Sequence, residues 1–164
     1  MSPDAAHAMV APWPPRIAAW HCVKGMTMDL RRVDENFAVA PQVQPQDMQA
    51  LADAGFVAVM CNRPDGEEPG QPDAATMRAA AQEAGLAFHH VPVSGGAFPP
   101  DALEQFASVR REAGGPMLAY CRSGTRCITM ETLANPQGLT VDERLERAAA
   151  AGYDLAGLAP HLTD

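Results

Sequence analysis

Four short, largely apolar runs at residues 37–40, 56–61, 87–93 and 116–120 alternate with segments of helical spacing. This alternation limits the fold more than any other feature of the chain. Runs this short and continuous have no polar face to turn to water, so each must be covered on both sides. The intervening segments supply the cover. Residues 45–54 place Met48 and Leu51 on one helical face and stop at Gly55. Asp73 caps a second helix carrying Met77, Ala80, Ala81 and Ala84, closed by Gly85. A third follows Pro99-Pro100 with Leu103, Phe106 and Val109 in line, and Gly114-Gly115 ends it. Thr140 and Glu143 form a capping box for another, with Val141, Leu145 and Ala148 on one face. A short final turn is expected at 155–159. The pattern predicts an α/β fold: a mostly parallel central sheet of four to five strands with helices on both faces, joined by right-handed crossovers. Sheets of this kind bind ligands beyond the carboxyl ends of their strands, where loops 62–72, 94–101 and 121–126 would gather.

The 164 residues suit one domain, read as 28–164. Residues 1–27, interrupted by Pro12, Pro14 and Pro15, read as a loose N-terminal extension, or as an artefact of a start site upstream of Met26 or Met28. A net charge of −8 disfavours nucleic acid as a partner, since tracking phosphates takes a basic stripe. No run approaches the roughly 18 apolar residues of a membrane span, and no basic leader precedes an apolar stretch, so a membrane partner is not expected either. The cysteines, Cys22, Cys61, Cys121 and Cys127, fit neither a zinc site nor a secreted disulfide framework. Their free thiols suit a reducing cytoplasm, and no metal or other cofactor is implied.

The chemistry concentrates where the last apolar run meets Cys121-Arg122-Ser123-Gly124-Thr125-Arg126. A loop turning from strand into helix points successive backbone N–H groups into one hollow, and the helix N-terminus adds partial positive charge. The same field stabilises a thiolate at the first position. Arg122, Ser123, Gly124 and Thr125 build the anion-binding loop: Gly124 permits the tight backbone, and Ser123 and Thr125 offer hydroxyls. Arg126 can bring a bidentate guanidinium to the anion. Cys121 as nucleophile and Arg126 as anion holder suit attack on phosphorus or sulfur.

With these residues in place, the sequence resembles the phosphatase-like domain of bacterial beta-lactamase-hydrolase-like proteins, a family also described as sulfur transferases. The resemblance rests on residues 37–42, on the stretch from Cys61-Asn62-Arg63-Pro64-Asp65-Gly66-Glu67-Glu68 to Pro72, on 118–126, and on Gly152-Tyr153-Asp154-Leu155 with the two alanines before it. It covers about residues 28–162 and implies the fold of tyrosine and dual-specificity phosphatases. Phosphatases of that fold carry Cys-x5-Arg, whereas here the arginine comes one position early and Cys127 stands in its place. Cys-x4-Arg is similar to the shorter loop of rhodaneses, which carry a sulfane sulfur on the cysteine. The expectation is therefore a cysteine-dependent sulfurtransferase, moving sulfur from thiosulfate or a persulfide through a Cys121 persulfide to a thiol acceptor. The alternative is a phosphatase-like hydrolase of phosphate esters working through a phosphocysteine. A third reading is a module that binds an anion without turnover.

Other residues enter as candidates beside plainer roles. Asp65, Glu67 and Glu68 follow the Cys61 strand, and Asp101 follows the 94–100 loop; either Asp65 or Asp101 could protonate a leaving group, or Asp101 could simply sit in a first helical turn. Arg63 could line the cleft or form a surface salt bridge with Glu67 or Glu68, and Asn62 could organise the turn before Pro64. Cys61 and Cys127 are either resolving thiols for Cys121 or packed small side chains. His89 and His90, adjacent on a strand, point to opposite faces and cannot share a metal.

Overall fold

The computed structural model describes residues 28–164. The expected N-terminal extension, with Trp13, Trp20 and Cys22, lies outside the described residues. Strands β1 (Arg31–Asp34), β2 (Phe37–Ala40), β3 (Ala58–Cys61), β4 (Ala87–His90) and β5 (Met117–Tyr120) form one sheet in the order β1-β2-β5-β3-β4. Four of the five strands run parallel, and β1 pairs antiparallel with β2. The helices are α1 (Met48–Asp53), α2 (Ala74–Glu83), α3 (Pro100–Glu112), α4 (Thr125–Ala134) and α5 (Val141–Ala150).

The period of two along each strand sorts the core into two layers. Ala38 and Ala40 of β2, Val59 and Cys61 of β3, and Leu118 and Tyr120 of β5 pack with Met48 and Leu51 of α1 and Met77 of α2. The alternate residues Val39, Met60, Met117 and Ala119 pack with Phe106 of α3, Ile128 and Met130 of α4, and Ala148 of α5. Cys121 and Cys127 belong to this second layer, whereas Cys61 belongs to the first.

Differences from expectation have local causes. The regular strand in the 87–93 run ends at His90, although Val91 and Val93 still donate to the carbonyls of Cys61 and Asn62 at 2.9 and 3.2 Å; Pro92 falls between these donors, where its missing N–H would have faced the open edge. The 45–54 helix begins as a 3-10 turn at Pro45–Asp47, and the final turn spans Ala156–His161. The capping signals hold. Asp73 accepts from Thr76 N at 2.7 Å, and the Thr140–Glu143 box closes in both directions. β1 is the unexpected strand. Its charged Arg-Arg-Val-Asp sequence hides the period, and such composition suits an edge that must resist pairing with other chains.

A buried charge cluster locks α4 to its surroundings. Arg110 of α3 donates to both Glu131 carboxylate oxygens at 2.8 and 2.9 Å and to Asp34 at 3.1 Å. Its guanidinium lies 4.1 Å from the centroid of the Phe37 ring. Burial pushes the Glu131 carboxyl up despite Arg110 beside it.

Candidate active site

β5 is the middle strand, flanked by β2 and β3, and it ends in the 121–126 loop at the sheet's topological switch point. The loop then feeds directly into α4, so the backbone N–H groups of a helix start converge on the cysteine. Gly124 is the N-cap residue, with φ +85°, a left-handed conformation that a residue with a side chain rarely adopts. This turn aims Gly124 N–H at the Cys121 sulfur, 3.1 Å away.

Cys121 is fully buried at the floor of the loop. Its thiol is pulled down to about 5, chiefly by a hydrogen bond from the Cys127 thiol, which outweighs burial; the backbone N–H groups of Cys127, Ser123 and Arg126 add to it. Cys127, entirely enclosed, is pushed the other way by burial and keeps its proton. The pair therefore consists of a thiolate and a thiol that donates to it. An ultraviolet pH titration of thiolate absorbance, with the Cys121→Ser protein as background, should show one thiolate forming with a midpoint near 5. A midpoint in the ordinary cysteine range would mean that the loop does not stabilise the anion.

Arg126 turns back from the first turn of α4. Nη1 donates to Glu67 Oε2 at 2.9 Å and to the Val93 carbonyl at 3.0 Å, and Nη2 donates to Glu67 Oε1 at 2.8 Å. Glu67 thus grips the end of the guanidinium bidentately, which leaves Nε and the second N–H of Nη2 for an anion and for the Cys121 sulfur. Arg126, then Arg63, hold the Glu67 carboxyl down to about 2, so it is ionised at any working pH.

Arg63 forms the expected ion pairs with Glu67 and Glu68, but as a buried side chain rather than at the surface. It is 2 % exposed, and it binds Glu67 through Nε at 2.8 Å and the Gln42 side chain through Nη1 at 2.9 Å. Its Nη2 lies 3.1 Å from Glu68, which also pairs with the exposed Arg122 at 3.0 Å. Asp65 accepts from Ala74 N at 2.8 Å and so serves the start of α2. Asp101 sits exposed in the first turn of α3, where a carboxylate favours the helix dipole. Ser123 Oγ donates to Thr125 Oγ1 at 3.0 Å, so the two hydroxyls satisfy each other at the helix start. Asn62 does not shape the turn before Pro64; its side chain donates to the Val91 carbonyl at 2.9 Å. His90 Nε2 lies 3.0 Å from the Arg63 carbonyl oxygen. Among the described residues no cluster of His, Cys, Asp and Glu could hold a metal ion, and no helix is long and apolar enough to cross a membrane.

Two participants escape a reading by motif. Gln42 and Tyr153 both lie inside stretches that carry the resemblance, but neither has a chemistry that flags it. Tyr153, after α5, donates its hydroxyl to the Ser123 carbonyl at 3.1 Å.

The model of the family described as "Beta-lactamase hydrolase-like protein, phosphatase-like domain" matches residues 29–140. A beta-lactamase hydrolase-like protein of Agrobacterium fabrum is 36% identical over 117 residues, 71% of this chain and 26% of its own length. One from Xylella fastidiosa is 31% identical over 134 residues, 78% of this chain and 30% of its own length. The chain therefore spans about a quarter to a third of these relatives. An inferred phosphatase from Neisseria meningitidis superposes with a TM-score of 0.69 at 36% identity, covering 79% of this chain and 93% of that one. TpbA of P. aeruginosa in complex with pTyr shares the fold, with a TM-score of 0.55 at 16% identity over 80% of this chain and 88% of that one. These likenesses lie with phosphatases and phosphatase-like proteins and give no support to the ordering taken from loop length, which put sulfur transfer first. The chain belongs to the phosphatase-like domain family of beta-lactamase hydrolase-like proteins, a phosphatase-like family of cysteine-nucleophile enzymes.

Proposed function

We propose that residues 28–164 form a phosphatase-like hydrolase domain that cleaves phosphate esters through a phosphocysteine on Cys121. The observation that carries this reading is the Cys121 thiolate held by Gly124 N–H at 3.1 Å inside a loop of converging N–H groups. The thiolate attacks phosphorus, the S–P bond forms and the ester P–O bond breaks. Arg126 and the loop N–H groups hold the equatorial oxygens as charge spreads over them. Water then attacks the phosphocysteine, releasing inorganic phosphate and restoring the thiolate.

The leaving oxygen must either depart as an anion or gain a proton. Glu67 is ionised and bound to two arginines, Asp65 is occupied at α2, and Asp101 is an exposed helix-start residue. Aryl phosphates, whose phenolates leave unaided, should therefore be hydrolysed faster than alkyl phosphates by about 10²-fold or more, the usual worth of a positioned acid. Equal rates for para-nitrophenyl phosphate and a simple alkyl phosphate would reveal an acid that this reading lacks.

The same lack of a free acid, together with the Cys-x4-Arg spacing, favours a second reading. In sulfur transfer the thiolate attacks the sulfane sulfur of thiosulfate, the S–S bond breaks, and sulfite leaves as an anion needing no proton. Intact-mass measurement after exposure to thiosulfate decides between them. One added sulfur, absent in Cys121→Ser, would establish sulfur transfer; its absence alongside hydrolysis of an aryl phosphate would establish the first reading.

A further inference from the structure

We propose that Tyr153 is a positioning residue for the Cys121 nucleophile, acting through the single peptide unit that joins Ser123 to Gly124. The carbonyl of this peptide belongs to Ser123 and accepts from the Tyr153 hydroxyl at 3.1 Å. Its N–H belongs to Gly124 and donates to the Cys121 sulfur at 3.1 Å. In a trans peptide the two groups point in opposite directions, so one hydroxyl fixes where the N–H points. Donation to the carbonyl also polarises the amide, which makes its N–H a stronger donor to sulfur. The path runs from Tyr153 O–H to the Ser123 carbonyl, and from Gly124 N–H to the thiolate.

Packing makes the arrangement specific. A Cβ at Gly124 would lie 2.3 Å from Tyr153 Oη and 3.2 Å from its Cζ, so the tyrosine fills the space that a side chain at 124 would need. The turn that carries Tyr153 is fixed in its own right, with Tyr153 N–H donating to the Ala148 carbonyl at 2.9 Å and the residue before it crowded by β1. Gly152 has φ +95°, and a Cβ there would lie 2.4 Å from Arg31 Nη1, the group that reaches the Ala151 carbonyl at 3.4 Å. Tyr153 lies beyond residues 29–140, the part of the chain that the family model matches.

The charged and titratable groups around this path are named by the structure. Cys121 faces Cys127 and Arg126 from the start of α4, while Cys61 of β3 lies on the other side of the sheet and acts on it only through its charge. Tyr153 faces Arg31 and Asp29 beside β1, and Cys127 and Cys121 across the loop. Burial raises the phenol above its ordinary value, so it remains a donor throughout the range in which the thiolate forms. The proposal rests on Cys121 being the nucleophile, but its test reads the thiolate rather than turnover, so failure of either catalytic reading leaves it standing.

The experiment is an ultraviolet thiolate titration of the full chain, with the corresponding Cys121→Ser protein as background each time. Tyr153→Phe keeps the ring and removes only the donor, and should raise the Cys121 midpoint by about one pH unit, the loss expected when one donor to a charged acceptor goes slack. A fluorinated tyrosine at 153 keeps size and fold and donates more strongly, so its midpoint should fall below that of the native protein. A role in packing alone would leave both midpoints in place, and that result overturns the proposal. If Tyr153→Phe does not fold, the fluorinated protein decides: a lowered midpoint supports the assignment and an unchanged one ends it.

Discussion

Cys121→Ser should reduce aryl-phosphate hydrolysis by on the order of 10⁴-fold or more while leaving the fold intact. The loop stabilises an anion by hydrogen bonds and a helix start, and this brings a thiol down to about 5. The same field cannot ionise a hydroxyl whose proton is bound far more tightly. Among the described residues no base stands ready to take that proton, because the side chains that donate to the Cys121 sulfur are the protonated Cys127 thiol and the Arg126 guanidinium, and Glu67 is spent on Arg126 and Arg63. Steady-state kinetics with para-nitrophenyl phosphate, beside a melting curve for each protein, measure this. Serine activity within about tenfold of the native rate would mean that the nucleophile lies elsewhere.

Glu131→Ala should destabilise the protein by about 3–5 kcal/mol, the usual cost of leaving a buried charge without its partner. Arg110 would lose a bidentate carboxylate at 2.8 and 2.9 Å and keep only Asp34 and the Phe37 ring around a guanidinium that is largely out of water. Replacing Arg110 and Glu131 together with methionines should cost much less, because no orphan charge remains. Urea denaturation of the single and double variants forms the comparison. A small loss for Glu131→Ala alone would mean that water reaches Arg110. Glu131 lies on the helix that begins at the Cys121 loop, so the stability and the geometry of the candidate site depend on one element.

The parallel core was legible because β2, β3 and β5 are continuous apolar runs and each helix between them carries a cap or a glycine stop. Asp73, Thr140 and Gly85 mark boundaries by local chemistry that distant contacts do not alter. β1 was not legible, since an edge strand gains its order from one partner and shows water a charged face. At the site, Cys121, Gly124 and Arg126 could be read from one hexapeptide. The roles of the loop carboxylates could not, because charge type alone does not tell an acid from a counter-ion. Glu67 became a clamp only when the fold brought Arg63 and Arg126 to the same carboxylate. Cys61 and Cys127 looked equivalent in sequence, but the strand period sends Cys61 to the opposite face of the sheet from Cys121. Tyr153 came into view only through a contact across 30 residues.

The clamp around Arg126 also bears on how a substrate arrives. Three guanidiniums, those of Arg63, Arg122 and Arg126, are offset at the cradle by the carboxylates of Glu67 and Glu68 and by the Cys121 thiolate. The cradle is close to electroneutral within a chain whose net charge is −8. An approaching anion therefore meets no long-range attraction but the repulsion of the surrounding net charge, so its capture should quicken rather than slow as salt screens that field. Selection at such a site falls to shape and donor placement after contact, which suits small anions that meet the N–H groups directly rather than highly charged ones drawn from a distance.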